Sequence, residues 1–309
     1  MTAINRLGIV SSNRSRGPET YFGEATHFYD EAVFINLEKL SFQFQRGVAA
    51  PIVFHDGENI SDLSMLYVFG SVNNSSNQRT MLLVRSMIQN GCPVSDSLDR
   101  LTRHGMGKLF DTLRSLTTAS GIDSFAATSF ESLEHLLSVN SEGCFVTKPT
   151  FGSGGRDIEK FDSKETLLNH AKEFFRVQAE SGKQAPIFVE KFINFSNEWR
   201  VYLVDGEFVC SYEKVLPENS FIANLHHGGG VIKSDPEDEA ALRNFVCGQA
   251  VDDLKRGIYG LDVGRTFNGQ FFLIEANRSP GWTKVLQTTG VNFPYETNRI
   301  LFRRARKWR

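Results

Sequence analysis

Gly260-Leu-Asp262-Val-Gly-Arg-Thr266-Phe-Asn268-Gly269-Gln-Phe271-Phe-Leu-Ile-Glu275-Ala-Asn277-Arg278-Ser279-Pro-Gly281 is the stretch whose reading decides the fold of this 309-residue chain. Asn-Gly between two strand-like runs, Leu261 to Thr266 and Phe271 to Ala276, is among the strongest short hairpin signals. A two-residue loop sets Phe267 opposite Gln270, and counting back puts Asp262 directly opposite Glu275. Asn277, two residues further, projects from the same face. Two carboxylates roughly 5 Å apart repel by about 3 kcal/mol at an effective dielectric near 20. A divalent cation between them removes that cost, and two carboxylates with an amide oxygen are hard ligands suited to magnesium. The alternative is an edge hairpin with solvated acids. Leu261, Val263, Leu273 and Ile274 speak for buried strands and hence for the metal.

Upstream lies a second hairpin, Trp199 to Leu203 and Phe208 to Tyr212, turning at Asp205-Gly206. Its two-residue register sets Arg200 opposite Ser211 and Glu198 opposite Glu213. Trp199, Val201, Leu203, Phe208, Cys210 and Tyr212 then form the apolar face. Further back, Lys148-Pro-Thr-Phe-Gly152-Ser153-Gly154-Gly155-Arg156 is a glycine-rich turn flanked by cations. Glycines let backbone N–H groups approach phosphate closely. The lysine precedes the glycines, so this is not a Walker A loop. By itself it reads equally well as a plain turn; beside a magnesium site it becomes a candidate phosphate loop.

The rest of the chain alternates strands and helices. Leu7–Val10, Ala32–Leu37 and Met65–Phe69 read as short strands of a mostly parallel α/β lobe, followed by a helix to about Gln89 and a boundary at Asn90-Gly91. Helical spacing marks 107–119. Thr128 with Glu131, and Asp162 with Glu165, have capping-box spacing, and a helix is expected from Pro236 to Leu254. The expected divisions are 1–90, 91–185 and 186–309. Apolar residues make up 40% and charged residues 23%, and Lys plus Arg (34) nearly balances Asp plus Glu (36), for a net charge of −2. Neither a disordered chain nor a whole-molecule attraction to nucleic acid or membrane fits. Cys92, Cys144, Cys210 and Cys247 form no CxxC pair, which argues against a disulfide scaffold and a structural zinc site. No signal-peptide-like run opens the chain and no apolar run reaches about 18 residues, so a cytoplasmic protein is expected. The tail Arg303-Arg304-Ala-Arg306-Lys307-Trp308-Arg309 suits a helix C-terminus; an acidic protein, RNA or another subunit is the alternative reason for it.

With these pieces in order, the chain resembles the ATP-grasp superfamily, and within it the RimK-type glutamate ligases, from about residue 90 to the C-terminus. The residues that carry the resemblance are Gly260-Leu-Asp262 with Leu273-Ile-Glu275-Ala-Asn277-Arg278-Ser279-Pro-Gly281, then Asn224-Leu-His-His227-Gly-Gly229 and Glu190-Lys191-Phe192-Ile193. The resemblance implies an ATP-grasp fold of α/β class, with α+β lobes behind an N-terminal Rossmann-like lobe. It implies a nucleotide clamped between two antiparallel sheets. Lys108 and Lys148 match phosphate-contacting lysines, and Gly152, Ser153, Gly154 and Gly155 the loop over the phosphates. Glu190 to Ile193 match the strap whose backbone meets adenine at Lys191 and Phe192. Glu198 matches the ribose-holding acid, and Asn224 a phosphate-side asparagine. Asp262, Glu275 and Asn277 match the magnesium ligands. Arg200 and Arg278 are candidates, with Asn277, for steadying the transferred phosphoryl group, and Ser279 and Gly281 for receiving a substrate carboxylate. Arg14 and Arg16, in the loop after the first strand, are candidates for an anionic substrate group.

Departures from the pattern fall near the acceptor pocket. Ile222 and His227 stand where the family has arginines, Arg278 where it has alanine, and Gly105-Met-Gly107 precedes Lys108 in place of an arginine–aspartate pair. The implied function is an ATP-dependent carboxylate–amine ligase acting through an acylphosphate, using ATP and Mg²⁺ (Mn²⁺ able to substitute). It would join a glutamate-like amino acid to a peptide, protein or small-molecule amine. A kinase on the same fold and a non-catalytic ATP-binding module are the alternatives. The resemblance also implies dimers or tetramers.

Overall fold

A computed structural model describes residues 5–11, 16–69, 74–95, 121–139, 143–149, 157–182, 185–215, 229–248, 252–278 and 280–308. The mixed helix–sheet class expected from the sequence is the one observed. The first part is a parallel sheet of order β2-β1-β6, from β1 (Arg6–Val10), β2 (Glu31–Ile35) and β6 (Met65–Val68). Leu7, Ile9 and Val10 are fully buried, the continuous apolar run of a strand covered on both faces. Helix α1 (Arg16–Ala25) crosses from β1 to β2, and α2 (Asn74–Gln89) follows β6. Between β2 and β6 the chain makes a meander the sequence reading did not separate: β3 (Leu40–Gln43), β4 (Ile52–His55) and β5 (Glu58–Asn59). Strands this short carry too few alternations to be recognised.

The second sheet is antiparallel, of order β7-β10-β8-β9, from β7 (Ser124–Ala127), β8 (Phe145–Lys148), β9 (Glu159–Phe161) and β10 (Ile187–Lys191). Helices α3 (Phe130–Val139) and α4 (Lys164–Glu180) pack on it through Leu133, Leu137, Leu167 and Ala171. Both helices begin one residue later than the expected caps. Ser129 Oγ accepts from Ser132 N (3.2 Å), and Ser163 Oγ accepts from Thr166 N (3.2 Å), so serine displaces Thr128 and Asp162 as the N-cap.

The third sheet has order β13-β12-β11-β14-β15, from β11 (Phe195–Val204), β12 (Glu207–Val215), β13 (Gly230–Lys233), β14 (Ile258–Thr266) and β15 (Phe271–Arg278). Helix α5 (Pro236–Gly248) covers one face, where Trp199, Val201, Leu203, Leu261 and Val263 meet Leu242, Phe245 and Val246. A 3₁₀ turn at Asp252–Lys255 stands where the last turn of that helix was expected. The other face is apolar at one end only. There Tyr202, Val204, Cys210, Tyr212 and Ile258 join α6 (Thr283–Thr289), α7 (Phe293–Trp308), α1 and the parallel sheet in one core. The other end of that face is polar. In α7, Arg303 pairs with Glu207, and Arg304 holds both oxygens of Asp205 at 3.0 Å and the Val94 carbonyl at 2.9 Å, so part of the basic tail serves the fold. Among the described residues no helix is long and apolar enough to cross a membrane.

Candidate active site

Register decides which side chains share the polar end of the third sheet. Asp262 lies opposite Glu275 and Gly260 opposite Asn277, so both carboxylates and the amide face the same way. The pairing arises differently from the count made on the sequence. Gly269 N donates to Thr266 O (2.8 Å) and Thr266 N to Gln270 O (2.9 Å), which makes a three-residue loop of Phe267, Asn268 and Gly269. Gly269 sits at φ +86°, the left-handed conformation such a loop closes with. That shifts the register by one, and a bulge at Ile274, between the Val263–Leu273 and Asp262–Glu275 pairs, shifts it back.

The first hairpin keeps its two-residue turn but bulges at Val209, between the Leu203–Phe208 and Tyr202–Cys210 pairs. Arg200 therefore faces Tyr212, not Ser211, and Glu198 faces Lys214, not Glu213. The like-charge pair disappears. Cys210 and Tyr212 turn from the expected apolar face to join Tyr202 on the opposite one. Glu213 instead accepts from Asn197 Nδ2 (2.8 Å).

Asp262 is 6% exposed and carries two cations. Arg200 Nε lies 2.7 Å from Asp262 Oδ1 as an ion pair, and Arg200 Nη2 donates to Oδ2 at 3.2 Å. Lys214 Nζ lies 2.7 Å from the same Oδ1. In the amide orientation that satisfies its neighbours, Asn277 Nδ2 donates to Glu275 Oε1 (2.9 Å) and its Oδ1 accepts from Arg200 Nη1 (3.1 Å). Arg200 is laid across Gly260: a Cβ there would come 2.9 Å from Nη1 and 2.6 Å from Pro280 Cβ, so only glycine admits both. Burial works against the charge on Arg200, but Asp262, Tyr202, Tyr212 and Glu275 hold its pKa above the ordinary value.

Arg200 and Lys214 correct the electrostatic expectation drawn from the sequence. The repulsion between Asp262 and Glu275 is offset by two protein cations, so the pairing does not by itself demand a metal. The oxygens of Asp262, Glu275 and Asn277 nonetheless form a hard donor set on one face and fit magnesium. Lys214 escaped the sequence reading because its place across from Glu198 depends on the Val209 bulge, which has no turn residue to announce it.

Lys148 on β8 and Glu190 on β10 form an ion pair, with Glu190 only 3% exposed. Lys148 also reaches the field of Glu198 on the third sheet. Burial pushes the Glu198 carboxyl up to about 7; Lys214 and Lys148 pull it down and Asp262 pushes it further up. Lys148, Glu190, Glu198, Arg200, Lys214, Asp262, Glu275 and Asn277 thus converge from two sheets.

Other expected site residues fall elsewhere. Arg278 is in register with Tyr259, which alternation puts on the side of Ala276, away from Asn277 and Glu275. The strap residues are held by main chain: Lys191 N donates to Asp123 O and Phe192 N to Cys144 O, both at 2.9 Å, while Lys191 Nζ meets Asp123 Oδ2 at 3.1 Å. Ile193 lies in the unpaired link from β10 to β11. Tyr202, which the sequence reading placed in no role, donates its hydroxyl to Gly281 O at 2.7 Å and ties that loop to the sheet. Arg16 is the first residue of α1. Arg14, Lys108, Gly152, Ser153, Gly154, Gly155, Asn224, His227, Ser279 and the 107–119 helix lie outside the described residues.

Comparison with known proteins agrees with this architecture. Residues 141–282 match a family described as an ATP-grasp domain, the third family of its clade. A probable alpha-L-glutamate ligase 1 of Shewanella sp. (strain MR-4) is 32% identical over 120 residues, 38% of this chain and 38% of the length of that relative. The ATP-grasp ligase PsnB, solved with a phosphomimetic variant of its minimal precursor, Mg and ADP, superposes with a TM-score of 0.67 over 98% of this chain and 99% of its own, at 14% identity. A RimK domain ATP-grasp protein from Sphaerobacter thermophilus DSM 20745 superposes with a TM-score of 0.59 over 96% and 99%, again at 14% identity. At such identity the superpositions establish the fold.

Proposed function

The chain belongs to the ATP-grasp superfamily, with the matched domain over residues 141–282, and from that premise we propose that it is an ATP-dependent carboxylate–amine ligase. The observation that carries this reading is the buried row Lys214–Asp262–Arg200 with Glu275 and Asn277, facing Lys148 from the adjoining sheet.

In this reading the triphosphate lies between the sheets, with Lys148 on its phosphates and Glu198 on the ribose. With the N–H groups of Lys191 and Phe192 engaged, the strap meets adenine through carbonyls and the amide of Ile193. Asp262, Glu275 and Asn277 hold magnesium, which when bound neutralises phosphate charge. Arg200 and Lys214, which balance Asp262 here, then face the transferred phosphoryl group and offset the charge that spreads over its oxygens. A carboxylate oxygen attacks the γ-phosphorus and ADP leaves. The amine nitrogen attacks the acyl carbon of the resulting acylphosphate, loses its proton, and inorganic phosphate departs. The carboxylate is an amino acid of glutamate type and the acceptor a peptide amine, supported by the named ligase relatives and by neighbours solved with precursor peptides. The Tyr202–Gly281 bond fixes the loop assigned to the substrate carboxylate.

Incubation with Mg-ATP, hydroxylamine and amino-acid pools tests the chemistry. Free phosphate together with an acyl hydroxamate is expected; phosphate retained on an acceptor would make the protein a kinase.

The Glu198 carboxyl supplies a pH prediction. Near its raised pKa of about 7 it is half protonated, and ionisation improves it as an acceptor for ribose hydroxyls. ADP affinity without metal is therefore expected to strengthen as pH rises from about 6 to 8 and then level off. The gain should be about fivefold to tenfold, the scale on which a charge-assisted hydrogen bond exceeds a neutral one. Glu198→Gln should flatten the profile. An unchanged profile in that variant would remove Glu198 from the nucleotide site.

A further inference from the structure

The meander between β2 and β6 leaves a strand edge exposed. β3 is the end strand of the order β3-β4-β5, and no described strand pairs with its other side. Asp56 N donates to Lys39 O (3.0 Å), so in the β3–β4 register Lys39, Ser41 and Gln43 turn their main-chain groups to β4. Leu40, Phe42 and Phe44 therefore turn theirs outward. Leu40 and Phe42 pack sideways against the second core. Phe44, next along, is 69% exposed, and Val48 53%. Edge strands are ordinarily blunted by lysine, proline or a bulge. From Leu40 to Gln45 this edge has no charge and no proline.

We propose that β3 pairs antiparallel with β3 of a second copy of this chain, about a twofold axis through Phe42, merging the two meanders into one sheet. The pattern is self-complementary in this register and poorly so in its neighbours. Leu40 meets Phe44 of the partner subunit, Ser41 meets Gln43 of the partner subunit, and Phe42 meets its own copy. Every outward main-chain group from Leu40 to Phe44 finds a mate. Moving the axis to Ser41 would send Phe44 against Glu38, which lies in the 3₁₀ turn Leu37–Lys39 and offers no strand. With the axis at Phe42, Phe44 covers the half-buried Leu40 of the partner subunit, extending the second core across the axis. The charges also fit. Glu38, 81% exposed on its side chain and 3.9 Å from Arg79, comes to the end of the strand where Arg46 of the partner subunit sits, and no like charges are opposed. An unrelated peptide would need to reproduce this alternation and end charge; a second copy has them by symmetry.

Sedimentation velocity on the full chain, up to about 100 μM at the weak end of specific association, reads the outcome. Wild type should dimerise. Phe44→Lys should weaken the dimer at least tenfold, with circular dichroism confirming its fold. Glu38→Arg and Arg46→Glu should each weaken self-association, and mixing the two should restore a dimer of unlike chains. A wild-type monomer at the highest concentration would overturn the proposal. So would a dimer indifferent to all three changes, or charge variants that fail to recover on mixing.

Discussion

Glu275→Ala is expected to lower ATP-dependent turnover by on the order of 10³-fold, the scale seen when a charge-stabilising group is lost at a reacting phosphoryl or acyl centre. The fold should survive. Glu275 accepts from Asn277 Nδ2, and truncation leaves that amide proton to be satisfied elsewhere, at about 1–2 kcal/mol. Asp262→Ala is the worse experiment although Asp262 is the more central ligand. Its carboxylate holds Arg200 and Lys214, both largely buried, and removing it leaves two cations without their counter-ion, at about 3–5 kcal/mol. Loss of activity there could not be separated from loss of structure. ADP release and thermal unfolding measured on Glu275→Ala, side by side, make the separation. Turnover near wild type in a folded variant would sink the assignment of Glu275 to the nucleotide's metal.

The Asp262–Glu275 pair also shows how far the sequence could be read. Its register came out right because two errors cancelled: a loop one residue longer than expected, and a bulge at Ile274 that absorbs the difference. The Val209 bulge in the neighbouring hairpin had nothing to cancel it, and every pairing beyond Leu203 slid by one. Turns carry their own chemistry in Asn-Gly and Asp-Gly, so they are legible. These bulges are set by how two sheet faces fill two different cores, a tertiary fact. The same limit explains the helix caps, where an adjacent serine won over Thr128 and Asp162 although both had the expected spacing. Which acids and amide gather was legible from residue type and period; which cations balance them was not. Lys214 reaches Asp262 only because the bulge turns it, and Arg200 lies flat only because Gly260 leaves room.

Lys148→Ala is expected to do double damage, and the two parts can be measured apart. Lys148 is the counter-ion of Glu190, a carboxylate 3% exposed on the central strand of its sheet. Without the ammonium that carboxylate must stay charged in a low-dielectric site or take up a proton, a cost of about 3–5 kcal/mol. Stability should therefore fall as pH rises, since the orphaned Glu190 would have a raised pKa and the unfolded chain would ionise first. Nucleotide affinity should also fall, by about 10²-fold or more, because a cation facing the phosphates is gone. Replacing both partners, Lys148→Met with Glu190→Leu, removes the buried charge together with its counter-ion and should recover most of the stability. It should not recover binding. A double variant that is stable and binds ADP like wild type would show that Lys148 serves only to neutralise Glu190. A double variant that is stable and binds poorly would leave Lys148 the phosphate contact that the proposed chemistry requires.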